Sequence, residues 1–261
     1  MPEGDTIFRM ARLLHQGIAG RTVTRFDSVF SELTRTATVH SLCGRVITQV
    51  TARGKHLFIW FSGNLVLRTH MRMHGVWHVY ATGERWRRPG AEMRIVVSTA
   101  ECEAVAFNVP VAELTTGGDL ERSDSVRDLG PDILSADFDI ADAAQRIETM
   151  PHTEIADALL DQTAVAGIGN IFKSESLYAA GVHPFTPVER LTHQQVLKVI
   201  ERARRLMHAA ATERRARYSV YGRAGQPCRR CGTSISRRAQ GSHRRLTYWC
   251  ARCQPPPAPA A

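Results

Sequence analysis

Four cysteines near the C-terminus constrain the fold of this 261-residue chain more than any other feature. They form two pairs with two residues inside each pair, and 18 residues separate the pairs. The four residues are Cys228, Cys231, Cys250 and Cys253. This spacing is typical of a tetrahedral site in which four thiolates surround one zinc ion. The sequence therefore predicts a zinc ribbon with one structural zinc (Zn) per chain, whose folding depends on the metal.

Two disulfides in a secreted domain are the alternative interpretation of the same cysteines. The N-terminus has no basic segment followed by an apolar one, so we expect no secretory signal. No apolar run approaches the ~18 residues that a transmembrane helix requires. We therefore expect a cytoplasmic protein that is not secreted and has no membrane partner. The other two cysteines, Cys43 and Cys102, are expected to be inert core residues.

Positive charge is concentrated in the last quarter of the chain. The formal net charge is +9, and the segment from Lys198 onward contains 15 Lys and Arg against two Glu. The first 197 residues contain 19 Lys and Arg against 23 Asp and Glu. Fourteen of the 15 C-terminal cations are Arg, whose planar guanidinium suits phosphate. A nucleic-acid partner is therefore expected, and a solubilising tail is the alternative.

Hydrophobic periodicity divides the chain into a β-rich and a helical part. A helix is expected over 7–18, followed by short strands without intervening helices from Thr22 to Val109. The clearest strands are Arg45–Thr51, His56–Phe61, Leu65–Thr69, Gly75–Tyr80, Met93–Ser98 and Glu103–Asn108. In the first of them, Val46 and Val50 should share one face. This pattern favours an antiparallel sandwich or barrel.

Helical patterns follow Pro131. They cover Phe138–Thr149, Glu154–Gln162, Asn170–Ala180 and Thr192–Thr212. The expected fold class is α+β and multi-domain: an N-terminal antiparallel β-sandwich with a leading helix, a helical domain, and a C-terminal four-cysteine zinc ribbon. The expected domain limits are 1–132, 133–225 and 226–254, with a disordered Pro-rich tail over 255–261.

Pro2 and Glu3 at the N-terminus are the first candidate catalytic residues. Removal of Met1 would expose a secondary amine, and an α-amino group titrates near ~8 whereas a lysine titrates near ~10.4. A larger fraction of the terminal amine is therefore free to attack a carbonyl carbon and form a Schiff base. Glu3 could relay protons beside it. The alternative is an ordinary residue that leads into a helix.

Two further segments suggest contacts with anions. Asn170 follows a glycine-rich turn at the start of a helix, where it could cap the helix or donate to a phosphate. The segment 241–250 is expected to form a hairpin that ends on a zinc ligand, and its tip carries Arg244 and Arg245. These arginines could bind phosphate or form a solvated face. Neighbouring side chains of a strand face opposite sides, so we expect only one of the two to point into a groove.

Four motifs occur together in this order: Pro2-Glu3-Gly4, Arg53-Gly-Lys-His56, Leu159–Gln162 with Ala166–Asn170, and Tyr248–Cys253. From Met1 to about Gln254 the chain resembles the bacterial formamidopyrimidine-DNA glycosylase/endonuclease VIII family. The resemblance implies a bifunctional DNA glycosylase and AP lyase of base excision repair. It implies a monomeric, cytoplasmic and nucleoid-associated bacterial enzyme that acts on double-stranded DNA with damaged bases or abasic sites.

The resemblance also implies roles for individual residues. Pro2 would be the nucleophile at the sugar C1′, and Glu3 would protonate the opened sugar or assist departure of the base. Lys55, otherwise an ordinary turn lysine, would hold a phosphate and assist β-elimination. Asn170 and Arg245 would hold phosphates around the flipped nucleotide, and Arg245 would assist δ-elimination. The helices around 154–180 resemble the family's helix–two-turn–helix.

The branch of the family is indicated by several loops. Pro-Glu-Gly-Asp at the N-terminus and Gly75-Val-Trp resemble the endonuclease VIII branch, which prefers oxidised pyrimidines. The stretch 106–114 lacks the Asp-x-Arg-x-Phe-Gly motif of the purine branch. The loop 70–75 resembles that of the purine branch, with Arg72 as a DNA contact and Met73 as an apolar wedge or, alternatively, a core residue. Thr6 stands where many relatives have Glu.

Two other functions fit parts of the sequence. The first is a non-catalytic reader of damaged or abasic DNA, and the presence of Pro2, Glu3 and Lys55 argues against it. The second is a zinc-ribbon protein that binds RNA or assists transcription. That function would explain the basic ribbon but neither the Pro-Glu terminus nor the Gly-Ile-Gly-Asn turn.

Overall fold

The computed structural model describes residues 2–212 and 217–257, and the chain divides into two compact units. The first unit contains Pro2 and Thr6–Asp128, and the second contains Glu3–Asp5 and the chain from Leu129 onward. Met1 and residues 258–261 of the expected tail lie outside the described residues. The domain limits expected from the sequence stay a prediction.

The first unit is an antiparallel β-sandwich with a leading helix, as the sequence predicts. Its helices are α1 (Gly4–Ile18, whose first two residues belong to the second unit), α2 (Ser31–Val39), α3 (Gly117–Arg122) and α4 (Asp124–Arg127). Its strands are β1 (Arg25–Ser28), β2 (Ile47–Arg53), β3 (His56–Phe61), β4 (Leu65–His70), β5 (Val76–Ala81), β6 (Met93–Ser98), β7 (Cys102–Phe107) and β8 (Val111–Thr116). They form two sheets, β2-β3-β4-β8 and β1-β6-β7-β5. One core cluster contains Leu14 of α1, Leu67 of one sheet and Ile95 of the other.

The structure corrects three sequence expectations in this unit. The helix α2 interrupts the strand series, and its Leu33 and Ala37 are buried one turn apart among three threonines that mask the helical pattern. Val46 is exposed while Val50 is buried, because the register between β2 and β3 shifts after Ile47 and ends the simple alternation. Cys43 is exposed and not a core residue, whereas Cys102 is buried as expected.

Four connections meet at one end of the sandwich, which we call the loop end. They are the β2–β3 turn at 54–55, the β4–β5 connection at 71–75, the segment 88–92 before β6, and the β7–β8 turn at 108–110. The register places them together, because His56 pairs with His70 in one sheet and Met93 pairs with Phe107 in the other. The two short connections 71–75 and 108–110 join these sheets at this end.

The second unit is helical and ends in a two-stranded hairpin. It contains α5 (Ile140–Glu148), α6 (Ile155–Ala158), α7 (Asn170–Ala180), α8 (His193–Thr212), β9 (Ile235–Gln240) and β10 (Arg245–Cys250). None of the helices in the described residues is long and apolar enough to cross a membrane. The helix α7 is buried on nearly all sides, and its bounds agree with the sequence pattern.

The sequence pattern overestimates the lengths of two of these helices, α5 and α6. The helix α5 begins at Ile140 because the side chain of Asp139 accepts hydrogen bonds from the N–H groups of Ala141 and Asp142. The helix α6 ends at Ala158, well before the expected Gln162. There Asp161 accepts hydrogen bonds from the N–H groups of Thr163, Ala164 and Val165, so it organises a turn instead of another helical turn.

Candidate active site and metal centre

The carboxylate of Glu3 caps the N-terminus of α7. Glu3 is fully buried, and it accepts hydrogen bonds from the N–H groups of Ile171 (2.7 Å) and Phe172 (3.2 Å). The N-cap position itself is Gly169, which has no side chain to offer. The cap therefore comes from 168 positions earlier in the chain, and its charge lies at the positive end of the helix dipole. Sequence reasoning considered Asn170 for this capping role, and the structure gives the role to Glu3.

The glycine-rich turn before α7 is shaped by Gln162 and by two glycines. The Gln162 side chain donates to the carbonyls of Leu160 (2.9 Å) and Ile168 (3.0 Å) and accepts from the N–H of Gly167 (3.1 Å). Gly167 has a φ of +106°, which favours glycine. A Cβ at Gly169 would overlap the Glu3 carboxyl group. The turn is thus built around the Glu3 side chain.

Asn170 lies one position after the cap and faces the hairpin. Its amide nitrogen donates to the carbonyl of Leu246 (2.9 Å). Its Oδ1 is buried and makes no hydrogen bond within the described parts of the chain. An unsatisfied buried acceptor is costly, so this atom marks a place where a ligand donor or a water would bind. The role of Asn170 in holding phosphate stays a prediction.

Lys173, one turn after Asn170, was missed by sequence reasoning. It is fully buried, and its Nζ donates to Thr247 Oγ1 at 2.7 Å. Thr247 donates to Gln240 Oε1 (2.6 Å), and the Gln240 amide donates to Glu154 Oε2 (2.7 Å). These hydrogen bonds fix the β9–β10 hairpin on α7. The only sequence signal is a lysine inside an otherwise buried helix, three residues after Asn170.

Burial lowers the pKa of Lys173 to about 8. Asp157 and Glu3 oppose this effect by attraction, and Arg245 adds to it by repulsion. Burial also raises the pKa of Asp157, while Lys173 and Arg245 act in the opposite direction. Asp157 contacts the start of the hairpin turn, where a Cβ at Gly241 would lie 2.7 Å from its Oδ1. Acidic and basic groups therefore interact beside the turn of the hairpin.

Arg244 and Arg245 differ in backbone conformation as well as in position. Arg245 is the first residue of β10 and pairs with Gln240. Arg244 lies in the turn with a φ of +48° and is exposed. The expectation that both arginines are neighbours within one strand is therefore wrong for Arg244. The expected phosphate contact of Arg245 stays a prediction.

Lys55 lies in the β2–β3 turn of the first unit, as expected. Beside it, His56 and His70 pair across the strands with ring centroids 4.8 Å apart. Burial, reinforced by neighbouring cations, lowers the pKa of His56 to about 3 and that of His70 to about 4. Both rings are therefore neutral near pH 7. The Nδ1 of His70 accepts a hydrogen bond from the N–H of Arg72 (3.1 Å), which orders the connection 71–75.

Met73 is 55% exposed at the loop end, whereas Met71 is 1% exposed. The alternative that placed Met73 in the core is therefore wrong, and Met71 occupies the core position. Arg72 between them has a φ of +45°, so the chain reverses direction at this point. The wedge role of Met73 and the DNA contact of Arg72 stay predictions.

The four ribbon cysteines converge on one point of the second unit. Their sulfurs lie within 4.8 Å of one another, with Cys231 3.5 Å from Cys250 and 3.6 Å from Cys253. A tetrahedral site with Zn–S bonds of about 2.3 Å has edges of about 3.8 Å, whereas a disulfide bond is about 2.05 Å long. The four thiolates therefore fit a zinc ion. They would hold it as a structural ion, because no position is left open for a substrate.

Neighbouring groups orient the zinc ligands. The Tyr178 hydroxyl of α7 lies 3.3 Å from Cys228 Sγ, and the N–H of Cys250 donates to Gln254 Oε1 (3.1 Å). The Gln254 amide in turn donates to the carbonyl of Val182 (2.8 Å). Such outer contacts fix ligand geometry. The ribbon is thereby attached to the helical core of its unit.

Three family models match the chain in sequence order. The formamidopyrimidine-DNA glycosylase N-terminal domain matches residues 1–110, and the formamidopyrimidine-DNA glycosylase H2TH domain matches residues 129–220. A zinc finger found in FPG and IleRS matches residues 225–256. The zinc-finger match and the clustered sulfurs together confirm the predicted zinc site.

Relatives match over nearly the whole chain. Probable endonuclease 8 2 of Streptomyces coelicolor is 40% identical, with 99% of this chain and 96% of the relative aligned. The DNA-(apurinic or apyrimidinic site) lyase Nei2 of Mycolicibacterium smegmatis is 38% identical, with 97% of this chain and 99% of the relative aligned. A solved complex of Lactococcus lactis formamido-pyrimidine DNA glycosylase with AP-site DNA superposes with a TM-score of 0.84 at 22% identity. It covers 97% of this chain and 100% of its own, which confirms the predicted fold.

We expect Cys231→Ser to abolish zinc binding and to unfold the hairpin while the β-sandwich stays folded. Removing one of four thiolates opens the site, and the hairpin depends on the metal for its folding free energy. Metal analysis and peptide-level hydrogen exchange would measure both effects. Cys43→Ser, at an exposed position outside the cluster, is the control and should retain one zinc per chain. Full protection of the hairpin in metal-free Cys231→Ser would contradict the prediction.

We expect Lys173→Met to raise the free energy of unfolding at pH 7 by about 1–2 kcal/mol. The difference between a pKa of 10.5 and about 8 corresponds to ~3 kcal/mol, and loss of the bond to Thr247 offsets part of it. Between pH 8 and 10.5 the unfolded lysine binds more proton than the folded one, so the wild type gains stability as pH rises.

The stability gain of Lys173→Met should therefore shrink across this pH window and be constant below it. Urea unfolding at several pH values measures this difference. Lys198→Met, on the exposed face of α8, is the control and should show no such dependence. A gain independent of pH from about 7 to 10.5 would contradict the assigned cause.

Proposed function

Because the chain belongs to the formamidopyrimidine-DNA glycosylase/endonuclease VIII family, we propose that it is a bifunctional DNA glycosylase and AP lyase of base excision repair. One observation carries the proposal: Glu3, the residue after Pro2, is buried and fixed by two N–H groups of α7. An N-terminal amine attacks faster when the terminus is held in place, because the reacting atoms are already oriented. The cap on α7 supplies that order.

Pro2 would react through its nitrogen. The lone pair attacks C1′ of the damaged nucleotide, and the bond to the base breaks with its electron pair, so that the base departs once protonated. The sugar ring opens to an iminium ion on Pro2, which acts as an electron sink. Loss of a proton from C2′ then breaks the C3′–O bond, and a second elimination breaks the C5′–O bond. Glu3 would stabilise the cationic intermediate and relay a proton.

Basic side chains would position the phosphates around the reacting sugar. We assign Lys55 to this role in the β-elimination, and Asn170 and Arg245 to phosphates around the extruded nucleotide. The anchoring of the hairpin by Lys173 supports this assignment. Arg72 would contact DNA, and Met73 would fill the space of the flipped base, which its exposure at the loop end supports.

We propose a preference for oxidised pyrimidines in double-stranded DNA. Relatives carry the name endonuclease 8, and the β7–β8 turn of this chain is a short Asn108–Pro110 connection without the arginine motif of the purine branch. In our proposal the enzyme acts as a monomer on chromosomal DNA in the bacterial cytoplasm, without a membrane partner.

We expect borohydride to trap a covalent adduct between the Pro2 amine and an oligonucleotide with an oxidised pyrimidine or an abasic site. Reduction of the iminium makes the bond permanent. Pro2→Gly, or retention of Met1, should lower the adduct yield at least tenfold, because either change alters the attacking amine. Gel analysis and mass spectrometry of the N-terminal peptide measure the yield and the attachment site.

A normal adduct yield with Met1 retained would contradict the assignment of Pro2. A folded wild type that binds abasic DNA without any adduct or strand cleavage would instead indicate a non-catalytic reader. A panel of duplexes, each with one lesion, ranks substrates in the same assay and tests the preference for pyrimidines.

We expect Arg245→Ala to weaken DNA binding and to slow δ-elimination. Removal of one phosphate-binding cation should reduce the slope of log K against log salt by about one. Arg244→Gly is the matched control, because glycine adopts the φ of +48° readily and the change removes only an exposed charge. Salt titration and gel analysis of product ends measure both variants, and a larger loss in Arg244→Gly would exchange their roles.

A further inference from the structure

A second cluster of arginines lies on the first unit and has no role in the proposed chemistry. The segment 84–90, which we call the arginine loop, contains three arginines in four positions around Trp86: Arg85, Arg87 and Arg88. It lines a cleft of about 640 Å³. Arg85 is exposed and makes no ion pair within the part of the chain that the structure describes. Arg87 is 76% exposed and reaches Glu84 only at 3.8 Å.

The arginine loop is held rigidly on the sheet. The Trp86 indole N–H donates to Glu103 (3.1 Å), and the ring packs edge-on against Phe107 with centroids 5.8 Å apart. The N–H of Arg87 donates to the Tyr80 hydroxyl (3.2 Å). The loop backbone is therefore fixed while the guanidinium groups of Arg85 and Arg87 extend into solvent. A preorganised cationic loop loses little conformational entropy when it binds an anion.

Arg88 connects the arginine loop to the loop end. Its guanidinium donates to Glu92 Oε2 at 2.6 Å, and the same oxygen accepts from the Asn108 amide at 2.9 Å. Asn108 begins the β7–β8 turn, one of the four connections at that end. The arginine loop therefore leads toward the end of the sandwich that carries Lys55, Arg72 and Met73. Arg88 therefore has a structural role, whereas the exposed side chains of Arg85 and Arg87 can bind a ligand.

We propose that Arg85 and Arg87 bind backbone phosphates of DNA that flank the lesion, outside the reacting nucleotide. The inference rests on the proposed function, which makes DNA the anion present at the loop end. Contacts to phosphate fix the orientation of a protein on a duplex without reading its sequence. The loop would thus contribute affinity common to damaged and undamaged DNA and would take no part in bond breaking.

The test compares two double variants with the same change in charge. Arg85→Ala with Arg87→Ala removes the loop cations, and Arg122→Ala with Arg127→Ala removes two exposed arginines of α3 and α4. The control helices follow Thr116, which pairs with Leu65 at the opposite end of the sheet. Fluorescence anisotropy with an undamaged and an abasic-analogue duplex, from about 50 to 200 mM salt, gives the slope of log K against log salt.

The loop variant should reduce this slope by about 0.9 for each phosphate that the protein no longer neutralises. Loss of one or two phosphate contacts should therefore reduce the slope by about one to two. The reduction should be equal on both duplexes, and the control pair should leave the slope within its error. Arg85→Lys with Arg87→Lys should retain the slope, because the slope depends on the number of charges. A loop variant that matches the control, or a lysine variant with a reduced slope, would overturn the proposal.

Two further measurements separate this proposal from the proposed function. The single-turnover cleavage rate of the loop variant at saturating enzyme should stay within about twofold of the wild-type rate. A large decrease would place the arginines at the reacting nucleotide and overturn the proposed contact with flanking phosphates. Shortening one flank of the duplex should remove the difference between variant and wild type, and a difference that persists would also overturn it. If the wild type cleaves nothing, the proposed function fails, and the slope on undamaged DNA still decides the role of the loop.

Discussion

The bond between the Glu3 carboxylate and the N-terminus of α7 is the contact on which the candidate site depends. It satisfies two N–H groups that no residue of the turn itself caps, and it places a negative charge at the positive end of a buried helix. Gly169 must lack a side chain because the carboxyl group occupies that space. Asn170 and Lys173 are then fixed by their positions in α7. One carboxylate thus caps the helix that carries both of these side chains.

Periodicity predicted most elements because they bury one face. The strands β3 and β4 and the helix α7 have bounds close to those expected, and the cysteine spacing predicted the zinc centre that the sulfur geometry and the family model confirm. Elements with weak local signals were missed. Threonines masked α2, and a register shift in β2 separated Val46 from Val50. Local patterns give no account of a side chain whose partners come from distant parts of the chain.

The candidate site shows this limit most clearly. The sequence indicated Glu3 and Asn170 as separate residues with separate roles, and their relation through the start of α7 requires the fold. Lys173 was not predicted, because its role depends on a hydrogen bond to Thr247, 74 positions away in the chain. Arg244 and Arg245 were treated as strand neighbours, whereas a positive φ places Arg244 in the turn. Met71 and Met73 could be separated only by their burial.

We expect the buried Lys173 to cost stability that a methionine would not. A buried ammonium group with one neutral acceptor is poorly compensated, and apolar replacement of such groups is often neutral or stabilising. Its presence is explained if it serves the hairpin that carries Arg245. The bond to Thr247 fixes the register of β10 against α7, in the strand that begins at Arg245. Active sites contain such destabilising groups where a cation must be oriented before the substrate binds. The side chains are then placed during folding and need not reorganise during the reaction.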